Sequence, residues 1–222
     1  MSKSSIQAVA MALTLMAGTV ACRAGSAAAV PPPAANENRA SAPAKETAVV
    51  AGGCFWGIQA VFQHVKGVVS ATSGYSGGTV KNPDYEMVSS GDTGHAESVE
   101  VIYDPSKVTY GELLQVFFSV ALDPTEVNRQ GPDEGTQYRS LIFYTNDQQK
   151  QIADAYIAQL NAAKIFRRPI ATQVVPLKAF YTAEPYHQNY ATLHPDNPYI
   201  VYNDAPKVAN LRREFPDLYG GK

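Results

Sequence analysis

The sequence predicts an α+β fold: a two-layer plait of the split-βαβ (ferredoxin-like) kind, carrying a long irregular C-terminal tail. Two observations predict it. Apolar runs of strand period alternate with stripes of helical period in the order β-α-β, β-α-β, α-β, which suits split-βαβ units. Beyond Lys178 the chain keeps many aromatics and prolines but shows no clear period.

The elements follow in order. TAVVAGG (47–53) is a short apolar run ended by glycines and reads as a strand. Ile58, Val61, Phe62 and Val65 fall at helical spacing, and Gly67 ends that helix. VVSATSGYSGG (68–78) is a second strand, followed by a polar loop over 79–95. AESVEVIYD (96–104) alternates, with Glu97, Val99, Val101 and Tyr103 on one face. TYGE (109–112) has the form of a capping box ahead of the stripe Leu113, Leu114, Phe117, Val120. RSLIFYT (139–145) is another strand, Ile152, Tyr156, Ile157 and Leu160 mark a third helix, and ATQVVPL (171–177) is a last strand.

The N-terminal segment stands apart. Lys3 precedes the apolar run IQAVAMALTLMAGTVA and then small residues, the composition of a secretory signal. That run is short for a membrane span; an ordinary buried helix is the plainer alternative. Cys22 closes it in GTVAC, which resembles the lipobox of bacterial lipoproteins, although Thr19 stands where leucine is usual. Cleavage near residues 27–29 competes with lipidation at Cys22. Residues 1–22 are therefore expected to be a secretory or lipoprotein-type signal. Residues 23–46, rich in Ala, Pro and Ser with Val30 as their one large apolar side chain, are expected to be a disordered tether. The folded domain is expected over 47–222. The implied location is exported and periplasmic, with membrane attachment if Cys22 is lipidated.

With 222 residues and a formal charge of −2, the chain suits one domain with a sizeable core, and its balance argues against nucleic acid as a partner. Either cleavage route leaves the domain one thiol, Cys54, so no disulfide can form within it. Disulfides are the usual reason for cysteine in an exported protein, so Cys54 needs another. It sits at a strand-to-helix junction, where the helix dipole and free N–H groups favour thiolate and pull the pKa below about 8.5. A buried structural cysteine beside core aromatics is the alternative. Glu97 is the charged member of an otherwise apolar strand face, which raises its pKa and keeps a proton on it near neutrality; a glutamate at the strand end reaching solvent is the alternative. His95, on the same face, is read as hydrogen-bonded within its loop. Four scattered histidines give no metal-ligand spacing.

The stretches GGCFWG, SGYSGG, NPDYEMVSSGDTGHAESVEVIYDP and DEGTQYRS closely resemble the A-type peptide methionine sulfoxide reductases, over roughly residues 48 to 202. Enzymes of this type reverse methionine oxidation. The resemblance implies Cys54 as the nucleophile on the sulfoxide sulfur. It implies Glu97 as the acid that protonates the leaving oxygen, and Tyr85 and Tyr138 as phenols that hydrogen-bond the same oxygen. It places Phe55 and Trp56 around the S-methyl group, with Asp133 orienting the methionine backbone and His187 helping on the other side. Many family members carry resolving cysteines in the C-terminal tail; this tail has none. The resemblance then implies a sulfenic acid at Cys54 and recycling by an external thiol, a thioredoxin-like protein or a small molecule. No bound cofactor or metal is expected, and the protein is expected to be a monomer. Two rival readings remain: a one-cysteine thiol peroxidase or redox sensor, and a noncatalytic binder of peptides bearing oxidised methionine.

Overall fold

The computed structural model describes residues 29–221. The proposed signal segment, Cys22 and residues 23–28 lie outside the described residues. Strand β1 (Glu46–Ala51) leads into helix α1 (Phe55–Gln63), strand β2 (Val68–Ser76), the short helix α2 (Tyr85–Ser89) and strand β3 (Ala96–Tyr103). Helix α3 (Tyr110–Val116) continues into a π-helical turn over Phe117–Ala121. A small ribbon, β4 (Arg129–Gln130) with β5 (Asp133–Glu134), precedes β6 (Leu141–Tyr144), α4 (Asp147–Ala162) and β7 (Gln173–Pro176). Then come β8 (Phe180–Thr182), α5 (Tyr190–Leu193), a π-helical turn over Ile200–Asp204, and α6 (Ala205–Glu214).

The fold is α+β. Its main sheet is mixed, with strand order β7-β6-β1-β3-β2-β8. Every neighbouring pair is antiparallel except β6 with β7. The period of two decides what lies where. Ala48 and Val50 of β1, with Val99, Val101 and Tyr103 of β3, join the large core beneath α1, α3 and α4, whereas Val49 and Ala51 join a smaller cluster with Ala96, Leu141 and Phe143. From α1, Ile58, Val61 and Phe62 are buried in the large core. The capping box at α3 forms as its sequence suggests: the Thr109 hydroxyl accepts from the Glu112 N–H, and the Glu112 carboxylate accepts from the Thr109 N–H. Caps of this kind stabilise a helix by about 1 kcal/mol.

Two expectations are corrected. Residues 29–45, expected to be part of a disordered tether, lie as a strap along α3 and α4. Val30 is 3% exposed, its N–H donates to the Ser119 hydroxyl and its carbonyl accepts from the Gln115 amide. The Pro31 carbonyl accepts from the Tyr156 hydroxyl, Pro32 from the Gln159 amide, and Asn36 donates to Thr109. Composition misled because the strap is held by backbone bonds, one valine and polar contacts from Asn36, Glu37 and Arg39 rather than by large apolar side chains. Its prolines also lower the entropy lost on docking.

The tail after Lys178 is regular where it touches the body. Strand β8 extends the sheet by pairing with β2, and α6 packs on α1 with Leu211 fully buried. Its elements are short, and α6 buries essentially one side chain, so no apolar period reaches the sequence.

Candidate active site

The site forms where β1 gives way to α1. Gly53 adopts φ +91°, the left-handed region open to glycine, and its N–H donates to the Tyr138 carbonyl at 3.1 Å. Cys54 is the N-cap residue of α1 and is 8% exposed. The next glycine serves close packing: a Cβ on Gly57 would collide with the Asp204 carboxylate.

Phe55 donates its N–H to Glu97 Oε2 at 3.0 Å, which ties β3 to the start of α1. Glu97 is 3% exposed, so it does not reach solvent. Burial pushes its pKa up to about 8, against the Phe55 hydrogen bond, which favours the charged form. Cys54 departs from the sequence expectation. Burial, then the Glu97 and Asp204 carboxylates, push its thiol well above the ordinary range, and the hydrogen bond from the Trp56 N–H at the helix start does not offset them. Desolvation by burial is the largest of these effects.

The other walls come from distant segments. Glu184 accepts from the Tyr75 hydroxyl at 2.8 Å and from the Tyr85 N–H at 2.9 Å, and so fixes the head of α2 against β2. Tyr138 sits on a 3-10 turn over Thr136–Tyr138. Arg139 holds that turn by donating to the carbonyls of Thr136 and Gly94, and Gln137 donates to Ser89. Burial raises the pKa of both Tyr85 and Tyr138, so both phenols stay donors at neutral pH. Asp133 projects from the β4–β5 ribbon and accepts from the Tyr199 hydroxyl. Burial raises its pKa as well, partly offset by Tyr199 and Lys207.

Trp56 is clamped. Tyr190 stacks on it at 3.8 Å and 11°, Tyr199 meets it edge-on at 6.0 Å, and its indole N–H donates to His187 Nδ1 at 3.2 Å. Accepting that bond puts the ring proton on His187 Nε2, a buried atom with no partner. Burial lowers the His187 pKa, which keeps the ring neutral. His95 lies outside the site: it accepts from the Gly78 N–H and bonds the Val80 carbonyl within its own loop region.

These residues enclose one cavity of about 180 Å³, lined by Cys54, Phe55, Trp56, Tyr85, Glu97, Asp133, Tyr138 and Tyr199. The structure thus gathers the predicted residues except His187, which stands behind Phe55 and Trp56 with its ring 5.0 Å from that of Phe55. Sequence reasoning missed Tyr199, Tyr190, Glu184 and Asp204. All lie in the aperiodic tail, and only the hydroxyl-rich, aromatic character of 181–202 hinted at them. Among the described residues no three His, Cys, Asp or Glu side chains are grouped to hold a metal ion. A thiol facing a protonated carboxyl and two phenols beside aromatic walls can attack an electrophilic sulfur while an oxygen on it is protonated.

Comparison with known proteins identifies the family. The profile of the peptide methionine sulfoxide reductase family matches residues 46–218. A peptide methionine sulfoxide reductase, MsrA 2, of Mesorhizobium japonicum is 64% identical over 182 residues, covering 82% of this chain and 93% of that one. Its namesake from Synechocystis is 50% identical over 190 residues, covering 85% and 89%. Among solved structures, methionine sulfoxide reductase A of Corynebacterium diphtheriae superposes with a TM-score of 0.59 at 39% identity, over 70% of this chain and 77% of that one. Reduced Mxr1 from Saccharomyces cerevisiae gives 0.62 at 34%, over 72% and 90%. The chain belongs to the peptide methionine sulfoxide reductases, in their A-type branch.

Proposed function

We propose that the protein reduces the S epimer of methionine sulfoxide, protein-bound and free, to methionine. The observation that carries this is the convergence of Cys54, Glu97, Tyr85 and Tyr138 with Phe55 and Trp56 on one small cavity. Cys54 sulfur attacks the sulfoxide sulfur; once the oxygen is protonated, the new S–S bond and the methionine S–O bond break as the hydroxyl passes to the Cys54 sulfur and the electron pair stays on the thioether. Glu97, protonated at neutral pH, passes its proton to the sulfoxide oxygen, while Tyr85 and Tyr138 donate hydrogen bonds to it. The thiol proton then restores Glu97. Cys54–SH and the sulfoxide become Cys54–SOH and the thioether, with every atom retained. The raised thiol pKa fits this route: both protons wait in the site until the substrate draws one onto its oxygen. Phe55 and Trp56 receive the S-methyl group, Asp133 orients the methionine backbone, and His187 fixes the Trp56 indole.

A thiol then converts the sulfenic acid to a mixed disulfide with loss of water, and a second thiol releases Cys54. A thioredoxin-like protein or a small thiol fits this role, because Cys54 is the domain's one cysteine. The strand order β6-β1-β3-β2 supports reading the central sheet as a split-βαβ plait, with β7 and β8 as edge additions. The signal-like residues 1–22 support an exported enzyme that repairs exported proteins; retention of the chain in the cytoplasm of the producing cell would oppose it.

The test is racemic methionine sulfoxide with dithiothreitol, the remaining epimers being separated on a chiral column. The R epimer should remain. Methyl on the aromatics and oxygen on Glu97 leave no place for the mirror arrangement. Equal loss of both epimers, or turnover of hydrogen peroxide alone, would overturn the reading.

A further inference from the structure

Asp204 and Lys207 pack against the first turn of α1, the helix that Cys54 caps. Asp204 ends the π-helical turn before α6 and is completely buried. Its Oδ1 pairs with Lys207 Nζ at 3.1 Å, and its Oδ2 is buried without a partner. Lys207 lies one turn along α6, with its side chain 18% exposed. Both groups rest on Gly57: a Cβ there would strike the Asp204 carboxylate and come within 2.8 Å of Lys207 Nζ. Gly57 is in the first turn of the helix that Cys54 caps. A buried ion pair is poor evidence for stability, since desolvation consumes most of its attraction. Its place against the first turn of the helix that Cys54 caps gives it another role.

We propose that Asp204 and Lys207 are positioning residues that set the ionisation of Cys54: Lys207 is the counter-charge for the sulfur as it loses its proton, and Asp204, its neighbour over Gly57, opposes ionisation in the resting site. This rests on Cys54 being the nucleophile. The two charges act on the thiol with opposite sign, Asp204 raising its pKa and Lys207 lowering it. Removing either one should therefore move the thiol in opposite directions. Loosened packing moves it in one direction only. The other ionisable groups facing Cys54 are Glu97 from β3, Asp133 from β5, Tyr85 from α2, Tyr138 from the 3-10 turn and Tyr199 from the tail. None of them is altered in the test.

The experiment measures the pH dependence of Cys54 alkylation by iodoacetamide in the full chain, followed by peptide mass spectrometry, for wild type, Lys207→Met, Lys207→Arg and Asp204→Asn. Lys207→Met should slow alkylation at pH 8 about tenfold, the size of a one-unit rise in thiol pKa. Lys207→Arg should restore most of that rate, and Asp204→Asn should speed alkylation. Thermal melting identifies any variant that fails to fold; if Lys207→Met does, Asp204→Asn supplies the reading, and a rate unchanged or slowed there overturns the proposal. Unchanged midpoints in Lys207→Met, or shifts of the same sign in Lys207→Met and Asp204→Asn, would overturn the proposal. Because alkylation reports the thiol directly, it reads the pair even if sulfoxide turnover is absent, so failure of the functional reading remains distinguishable.

Discussion

Two regions of the molecule meet in one cavity by different means. The β1–α1 junction and β3 supply Cys54, Phe55, Trp56 and Glu97 on regular elements, locked by backbone bonds such as Phe55 N–H to Glu97 and Gly53 N–H to Tyr138. The tail from Phe180 to Phe215 supplies Glu184, His187, Tyr190, Tyr199 and Asp204 from short pieces, locked by side chains that reach back to α1, α2, β2 and β5. In the proposed mechanism the first region carries the reacting groups, and the second shapes and charges the space around them. Losses in the first should therefore fall on the chemical step. Losses in the second should fall on binding, thiol ionisation or the stability of the docked tail.

The largest expected effect tests the first region. Glu97→Gln keeps the shape but cannot donate an acidic proton, so kcat should fall about a hundredfold to ten-thousandfold with KM little changed. A near-normal kcat would assign the proton to Tyr85 or Tyr138. The same variant has a stability signature. The folded pKa of Glu97 is raised to about 8, so the folded state holds a proton that the unfolded chain releases at ordinary carboxyl values. Wild type thus loses stability as pH climbs from about 4.5 to 8. Glu97→Gln should flatten that decline and melt higher than wild type at pH 9, read by circular dichroism; an equal decline in both would place the raised pKa elsewhere.

The second effect tests how the tail is held. Leu211 is the buried anchor of α6, and Leu211→Ala should cost about 2–5 kcal/mol in denaturant unfolding. A cost well below this range would mean that α6 is not a packed part of the domain. The smallest effect sits between the regions. Tyr199→Phe removes the hydroxyl that bonds Asp133, leaving that carboxylate short of a partner. We expect kcat/KM to fall about tenfold, mostly through KM, in line with one lost charge-assisted hydrogen bond. A fall confined to kcat would move Tyr199 into the chemistry and blur the division between regions.

How legible each region was follows from the same contrast. In β3 the alternation Glu97, Val99, Val101, Tyr103 placed an acid on the core face, because a period of two survives in any half-buried strand. The stripe along α1 and the capping box of α3 were equally readable. The tail resisted because its contacts are single side chains at irregular spacing: one leucine from α6, the rings of His187, Tyr190 and Tyr199 on Trp56, one phenol on Asp133. Such contacts leave no period. The strap at residues 29–45 resisted for a related reason, since backbone carbonyls such as that of Pro31 hold it, and these look alike in every sequence. The thiol was misjudged because helix position can be read from spacing, whereas burial beside Asp204 depends on a segment 150 residues away in the chain.

The central claim is that Cys54 takes the sulfoxide oxygen. The most direct measurement is the intact mass of residues 23–222 after one equivalent of methionine sulfoxide without reductant, followed by peptide mapping with a sulfenic-selective reagent. The account predicts the gain of one oxygen, mapped to Cys54 and removed by thiol, with one equivalent of methionine released. An unchanged mass with methionine still formed, or an oxygen mapped to another residue, would contradict it.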